Sequence, residues 1–446
     1  MTGIALDEIR DALEGAVPGV VATTAGDGTP NVCYLSQVEY VDDGHVALSF
    51  QFFNKTRRNI LSNPRAVVAV VDPMSGAAYR MFLRYLRTET HGAVFERMRA
   101  KLASIATATG ADGIFMLRGS DIYRVERIEM LEGTALPKPQ RPSRLTALRA
   151  CSDRLTSSHD LGSGLDALLL GLVQHFAIEH AMVLAIDEHR ERFYVLASSG
   201  YESSGIGSEI PLDVGTIGIA AARRTPIRLA HAAADYAYVR VLRERAAEDP
   251  VLRERLEHAI PFPGLRAPQS QLSVPIEAGD RVLGVLHVES AEERRFSHED
   301  EDALVVLARQ LGAFLRALDM AADDPVTANA PRAPERTGQP ELCVRHFASN
   351  DSVFFGDDYL IKGVAGAILW RLVNAFVNEK REHFSNRELR ADKTLGLPEL
   401  SDNLEARICL LQKRLHEHDA GVTVEKTGRG RFQLRVARTL RLSSQS

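Results

Sequence analysis

The sequence predicts a multidomain protein with a β-barrel first, an α+β sandwich second and a small α+β domain last. The chain has 446 residues, more than one ordinary domain contains. Two stretches rich in Pro, Ala or Asp, residues 134–144 and 319–340, are predicted to be linkers because they cannot bury enough apolar surface. The pattern of apolar runs then differs among the segments that remain, 1–133, 145–318 and 341–446.

The composition is that of a globular protein and excludes several classes. Hydrophobic residues make up 45% and charged residues 25%, and a net charge of -5 excludes a uniformly basic nucleic-acid coat protein. The acidic N-terminus lacks the features of a signal peptide, and no apolar run reaches the roughly 20 residues that span a membrane. We therefore expect a cytoplasmic protein without a membrane partner. The four cysteines lack ligand spacing, so we expect reduced thiols and no metal site.

The first segment is predicted to be mainly β. Asp27-Gly28 and Asp43-Gly44 separate three apolar runs, a pattern typical of hairpins. Further strands are predicted at 66–71, 78–90 and 122–131, with one helix near Met98. Several strands with few helices favour a barrel.

This segment also contains a candidate anion site. Its members are Lys55, Thr56, Arg57 and Arg58, which follow a strand and open a helix, and Arg84 and Arg87 on a later strand. Cations beside the free N–H groups of a helix start suit a bound phosphate. The sequence therefore predicts a phosphate-bearing ligand in the barrel.

Residues 17–131 resemble the pyridoxamine 5′-phosphate oxidase-like split barrel. The resemblance lies in TTAGDGTPNV, VDDGHVALSF, NKTRRNILSNPRAVVAVVDP and RYLRTETHG. It implies FMN at a dimer interface, with the strands of Ser36 and Ser49 along the flavin ring. Haem, which a branch of this fold binds, is the alternative cofactor. A barrel that has lost its ligand and only dimerises is the alternative to both.

The middle segment alternates helices and strands, which predicts an α+β sandwich. It resembles a GAF domain in GTIGIAAARRTPIRLAH, SQLSVPIEAGDRVLGVLHVES and HEDEDALVVLARQLGAFL. The resemblance implies a sensor for a small-molecule ligand, which no motif identifies. Gly284 is expected to let a neighbouring backbone approach closely. The run Leu304, Leu307, Leu311, Phe314 and Leu318 has heptad spacing, which fits either a dimer seam or packing against the domain's own sheet.

The third segment carries the sharpest functional signal. Predicted helices at 365–379, 385–392 and 402–418 precede a hairpin whose turn lies at 427–430. Ser385 with Glu388 forms a capping box at the start of the second helix. The third helix has an apolar inner stripe formed by Leu404, Ile408, Leu411 and Leu415.

The third segment resembles the winged-helix DNA-binding domain of response-regulator-type transcription factors. The resemblance lies in DNLEARICLLQKRL and VTVEKTGRGRFQL. The resemblance implies that the helix enters the major groove and that the hairpin is the wing. The residues expected to contact DNA are Asn403, Arg407, Lys413 and Arg414 on the helix and Lys426, Arg429 and Arg431 on the hairpin.

Together the three segments predict a homodimeric, DNA-binding transcription regulator. It would sense a small molecule or a redox state through the split barrel, the GAF domain or both. One alternative is an FMN-dependent oxidoreductase of the pyridoxamine 5′-phosphate oxidase-like family with regulatory domains. Another is a scaffold whose basic C-terminal segment binds protein.

Overall fold

The fold is described from a computed structural model. The described residues are 4–14, 17–51, 55–108, 116–133, 135–137, 143–187, 191–212, 215–231, 260–320, 341–392, 395, 404–428 and 430–445. Asn403, Arg429 and nearly all of the predicted linker 319–340 lie outside them. No helix among these residues is long and apolar enough to cross a membrane.

The first domain is rich in β structure, as predicted. Its strands are β1 (Gly19–Thr24), β2 (Pro30–Leu35), β3 (Val38–Asp42), β4 (His45–Phe50), β5 (Arg65–Val71), β6 (Ala78–Glu89) and β7 (Gly119–Met130). Its helices are a 3-10 helix (Asp7–Leu13), α1 (Lys55–Ser62) and α2 (Ala93–Ala108). The strands form one antiparallel sheet in the order β2-β1-β5-β6-β7-β4-β3. Two β-bulges bend the long β6–β7 pair, which helps to curve the sheet.

Both predicted hairpin turns form in this domain. Thr29 N donates a hydrogen bond to Asp27 Oδ1 at 2.9 Å, and Gly28 has a φ of +86° that suits glycine. Gly44 N donates to Asp42 Oδ1 at 2.9 Å. These local contacts connect β1 to β2 and β3 to β4.

The middle domain is a sheet with helices on both faces. Its strands are β8 (His180–Asp187), β9 (Arg192–Ser199), β10 (Glu209–Pro211), β11 (Ile227–Leu229), β12 (Ser270–Ala278) and β13 (Arg281–Ser290). Among the described residues, its helices are α3 (Arg144–Thr156), α4 (Leu161–Phe176), α5 (Gly215–Arg223) and α6 (His298–Met320). The strand order is β10-β9-β8-β13-β12-β11.

The alternation of side chains along β8 separates two apolar cores. Val183 and Ala185 join the larger core, which includes residues of α3, α4 and α6. Met182 and Leu184 point to the opposite face and join a smaller core with Ile217 of α5. The sheet therefore lies between the three long helices and α5.

The predicted heptad run of α6 packs within its own domain. Leu304, Leu307 and Leu311 are fully buried in the larger core. Phe314 packs over Gly164 of α4, where an added Cβ would lie 2.7 Å from the Phe314 ring. Of the two interpretations of this run, packing against the domain's own core is confirmed.

Gly284 is required where β8 and β13 meet. A Cβ at this position would lie 2.0 Å from the carbonyl oxygen of Leu184, well inside the van der Waals distance. The expected close approach of another backbone is therefore confirmed.

Replacing Gly284 with Ala should lower the free energy of unfolding by about 2–3 kcal/mol, because the paired strands must separate to admit the methyl group. The measurement is urea unfolding followed by circular dichroism. Gly26→Ala is the matched control, since nothing lies within 4 Å of its added Cβ. Its effect should stay within about 0.5 kcal/mol. Equal effects for the two variants would contradict the proposed crowding.

In the part that the structure describes, the last domain contains two sheets and three α-helices. Its strands are β14 (Leu342–Phe347), β15 (Ser352–Phe355), β16 (Asp358–Ile361), β17 (His383–Ser385), β18 (Val422–Gly428), β19 (Arg431–Val436) and β20 (Leu440–Gln445). Its helices are α7 (Gly363–Glu379), α8 (Asn386–Ala391) and α9 (Leu404–His418). The sheets have the orders β16-β15-β14-β20 and β17-β19-β18. The predicted order of three helices and a hairpin is confirmed, and the parallel pairing of β14 with β20 is an addition to it.

Candidate functional sites

A cavity of about 80 Å³ lies in the first domain, between β2, β4, β7 and α1. Four of the residues predicted to hold a flavin line it, namely Ser36, Ser49, Thr56 and Arg57. Thr56 Oγ1 accepts a hydrogen bond from Asn31 Nδ2 at 2.8 Å and lies 3.1 Å from Cys33 Sγ. The fold thus brings residues of β2, β4 and α1 to one place.

Arg57 is held firmly at the wall of this cavity. Its Nη1 donates to Asp121 Oδ1 at 2.6 Å, and its guanidinium lies 4.7 Å from the centre of the Phe50 ring. Burial raises the pKa of the Asp121 carboxyl, although Thr88 and Arg57 oppose this effect. A phosphate at this point would therefore share Arg57 with a carboxylate. No local sequence pattern marks Asp121, which lies on the distant strand β7.

Three buried polar atoms near the cavity lack a hydrogen-bond partner among the described residues. They are Ser49 Oγ, Gln51 Oε1 and Ser120 Oγ. Buried polar atoms are nearly always hydrogen-bonded in folded proteins, so these atoms suit a polar ligand. The cavity is nevertheless smaller than the roughly 300 Å³ at which ligand pockets begin. By itself, this cavity is too small to enclose a flavin.

The other residues predicted for the flavin site do not line this cavity. They are Lys55, Arg58, Arg84 and Arg87. Lys55 and Arg58 are exposed near the start of α1. Arg84 is exposed in the sheet, directly between Arg65 of β5 and Arg124 of β7. Arg87 pairs with Glu89 at 2.6 Å.

In the middle domain, a chain of buried polar groups lies between the sheet and α5. Ser273 Oγ donates to Thr216 Oγ1 at 2.8 Å and lies 2.8 Å from His287 Nδ1. The other ring nitrogen of His287 is 3.8 Å from Glu289. Within the described part of the chain, no group of three or more His, Cys, Asp or Glu side chains could hold a metal ion.

The predicted DNA-contacting helix, α9, packs against the middle domain. Arg407 Nη2 lies 2.9 Å from Asp187 Oδ2, and both side chains are only 6% exposed. Lys413 Nζ lies 2.6 Å from Asp166 of α4. Sequence reasoning missed Asp166 and Asp187, because no pattern links either residue to a helix so far along the chain.

Arg414 is also buried, mainly by its own domain. Its Nε donates to the carbonyl oxygen of Leu360 at 3.0 Å, and its Nη1 donates to Glu417 at 2.7 Å. It therefore joins α9 to β16 in this conformation.

The hairpin β18–β19 is fixed to α9 by a buried carboxylate. Glu405 accepts from Lys426 Nζ at 2.5 Å and from Asn386 Nδ2 at 2.6 Å. Arg431 is half-buried near the hairpin turn. Asn403 and Arg429, the remaining predicted DNA contacts, fall outside the described residues.

Residues 158–316 match the family model of the GAF domain. The chain contains a GAF domain. Among solved structures, the GAF domain of an Acinetobacter phosphoenolpyruvate-protein phosphotransferase is 23% identical. The match covers 42% of this chain and 100% of that one, with a TM-score of 0.31. GAF domains bind small-molecule ligands, and α5 with the polar chain at His287 lies on one face of this GAF sheet.

Residues 5–115 match the family model of pyridoxamine 5′-phosphate oxidase, so the first domain is oxidase-like. An FMN-binding protein from Syntrophomonas wolfei is 16% identical over 29% of this chain and 86% of its own, with a TM-score of 0.25. HupZ from Group A Streptococcus is 25% identical over 30% of this chain and 99% of its own, with a TM-score of 0.24. No curated protein matches the chain. Oxidase-like and GAF domains in one chain indicate a multidomain protein of the sensory or regulatory type.

Proposed function

We propose that this chain is a homodimeric transcription regulator that binds DNA through a winged helix in residues 341–446. The packing of the last domain carries the proposal. Three helices precede a hairpin. Lys426 of that hairpin donates a hydrogen bond from its Nζ to Glu405 Oε2 of the third helix at 2.5 Å. A helix and an adjoining basic hairpin form the surface with which winged helices bind the major groove and the neighbouring phosphates.

Local details of the last domain support this proposal. Ser385 Oγ accepts from Glu388 N at 3.3 Å, which caps the start of α8 as the sequence predicts. Gly430 has a φ of +63°, which allows a tight turn between β18 and β19. Arg438 and Arg441 extend the basic composition beyond the hairpin.

The oxidase-like domain is proposed to supply the dimer and a flavin site. The small cavity at Ser49 and its unpaired polar atoms suit a ligand that a second copy of the chain would help to enclose. Lys55 and Arg58, near the start of α1, are available for the FMN phosphate. Bound flavin would supply redox chemistry, and a two-fold dimer would read a repeated DNA site.

The first test is selection of DNA by the full-length protein from a random duplex library. Enrichment of a two-half-site sequence that resists competitor DNA would support the proposal. Recovery of no sequence above background would count against it. Native mass spectrometry of the same preparation, before and after denaturation, measures the subunit number and any released FMN or haem.

Arg431→Ala should weaken binding to all DNA sequences alike and reduce the slope of log K against log salt by about 0.9, the value for one phosphate contact. The measurement is fluorescence anisotropy over a salt series. Arg435→Ala on the same strand is the matched control, because Arg435 already pairs with Glu425. An equal loss of slope in both variants would show that the hairpin contributes only general charge.

A further inference from the structure

We propose that the GAF domain holds α9 in an autoinhibited position, so that DNA binding requires this helix to leave the GAF domain. The inference rests on the proposed DNA binding and names its regulation. We call the contact between α9 and the GAF domain the latch, and Arg407, Lys413, Asp166, Asp187 and Tyr194 are its main residues.

The centre of the latch is a buried ion pair. Arg407 lies 2.9 Å from Asp187, the last residue of β8, with each side chain 6% exposed. The Arg407 guanidinium also lies 4.4 Å from the centre of the Tyr194 ring on β9. Removing one partner of a buried ion pair is strongly destabilising, so Arg407 and Asp187 together stabilise the docked position of α9.

Further polar contacts surround the central pair. They join Lys413 to Asp166 (2.6 Å), Lys362 to Glu209 (2.9 Å) and Glu417 to Ser204. Each of them connects the last domain with the GAF domain. The Lys413 and Glu417 contacts belong to the latch, whereas the Lys362 pair lies outside α9 and adds to the same interface.

Apolar side chains also pack across the interface between α9 and the GAF domain. The largest apolar core includes residues of both domains, Leu410 of α9 among them. A Cβ added at Gly207 would lie 3.7 Å from Leu410, and one at Gly162 would lie 3.9 Å from Cys409 Sγ. Burial raises the pKa of the Cys409 thiol to about 12. Cys409 is thus shielded from water while α9 is docked.

Docking and DNA reading require the same side of α9. Arg407 cannot pair with Asp187 and hydrogen-bond a base edge at the same time. A major groove about 12 Å wide accepts a helix only if its outer face is free. Here that helix contacts α4, α6 and β9, which would collide with DNA placed along it.

The GAF sheet links the latch to the face that carries α5. Along β9, Phe193 and Val195 belong to the core on the α5 side, whereas Tyr194 belongs to the core shared with the last domain. Asp187 at the end of β8 lies opposite Arg192 at the start of β9. A ligand that shifts β9 from the α5 side would therefore move Tyr194 and disturb Asp187. Such a ligand would favour release of α9 from the GAF domain by as much as its affinity for the undocked state exceeds its affinity for the docked state.

The test uses Cys409 as a reporter of docking. Full-length protein carrying Cys33→Ser, Cys151→Ala and Cys343→Ser retains Cys409 as its one thiol. Asp187→Asn in this background should speed alkylation of Cys409 on the order of a hundredfold, because the buried Arg407 guanidinium would lose the carboxylate that lies 2.9 Å away. Its affinity for the selected DNA should rise by at least about tenfold, since the competing docked state is lost.

Two further variants keep the test decisive. Asp166→Lys changes an exposed side chain, folds without burying a charge and should weaken docking through repulsion of Lys413. Asp302→Asn is the matched control, because it breaks a different interdomain pair, with Arg10 at 2.7 Å. Alkylation of Cys409 should stay within about twofold of the parent in this control, since the Arg10–Asp302 pair does not involve α9.

The outcomes separate the latch from the proposed function. Faster alkylation with tighter DNA binding in Asp187→Asn or Asp166→Lys supports both. Unchanged alkylation in both variants overturns the latch, whatever DNA binding shows. Faster alkylation in protein that binds no selected DNA refutes the proposed function, and the regulatory role of the latch with it, although the docking contact stands.

Discussion

Replacing Arg228 with Met should lower the free energy of unfolding by about 3–5 kcal/mol, because two carboxylates would lose their buried cation. Arg228 lies on β11 of the GAF domain and is 6% exposed. Its Nη1 is 2.6 Å from Glu14, beside the 3-10 helix of the oxidase-like domain, and its Nε is 2.7 Å from Glu301 of α6. The Arg228 guanidinium therefore links the oxidase-like domain to the GAF domain, because it pairs with a carboxylate from each.

The measurement for Arg228→Met is chemical unfolding of the full chain, followed by circular dichroism. Arg10→Met is the matched control, since Arg10 joins the same two domains through Asp302, which is 59% exposed. Its effect should be below about 1 kcal/mol. Comparable losses for the two arginines would show that burial of the Arg228 network is not the cause. Adding Glu14→Gln and Glu301→Gln to Arg228→Met should recover part of the loss, because no unpaired charge then remains.

Acid should weaken the same contact between about pH 4.5 and pH 2. Burial opposes ionisation of Glu14, but the nearby cations, Arg228 foremost, outweigh it and lower the Glu14 pKa from 4.5 to about 2. Because the pKa is lower in the folded state, ionised Glu14 stabilises the protein above pH 4.5. That contribution, about 3 kcal/mol, is lost as the pH falls through this window.

Glu14→Gln isolates this effect. The free energy of unfolding of the parent protein should exceed that of the variant at pH 7, and the difference should shrink steadily toward pH 3. Asp302→Asn provides the comparison, since its exposed carboxylate should give a small difference at every pH. A Glu14→Gln difference that is independent of pH would refute the role assigned to this carboxylate.

The local features of the fold could be predicted from the sequence. The strand at 352–355 and the hairpin strands near 422–436 are marked by apolar runs and by glycines in the intervening turn. The hairpin turn at Asp27-Gly28 and the capped start at Ser385 likewise depend on neighbouring residues. The acidic N-terminal segment contains a 3-10 helix at Asp7–Leu13, which apolar spacing over seven residues does not distinguish from an α-helix.

The candidate sites were predictable only in part. Ser36 and Ser49, which the resemblance to a split barrel implies, line the same cavity as Thr56 and Arg57, which the cationic helix start indicates. Helical spacing placed Arg407 outside the apolar stripe of α9, yet it could not reveal that a second domain covers this face. Contacts between domains depend on surfaces formed by distant residues, and a single sequence contains no local pattern for them.

The parallel pairing of β14 with β20 has a consequence for synthesis. Leu342 pairs with Leu440 and Phe347 with Gln445. The first strand of the last domain, β14, therefore cannot complete its pairing until β20 has been synthesised. The sheets of the oxidase-like and GAF domains contain only earlier residues and can form while the ribosome is still extending the chain. Until β20 emerges, one edge of β14 offers unpaired backbone groups to other strands. A nascent chain that lacks residues 440–445 therefore leaves this edge of β14 open to pairing with other strands.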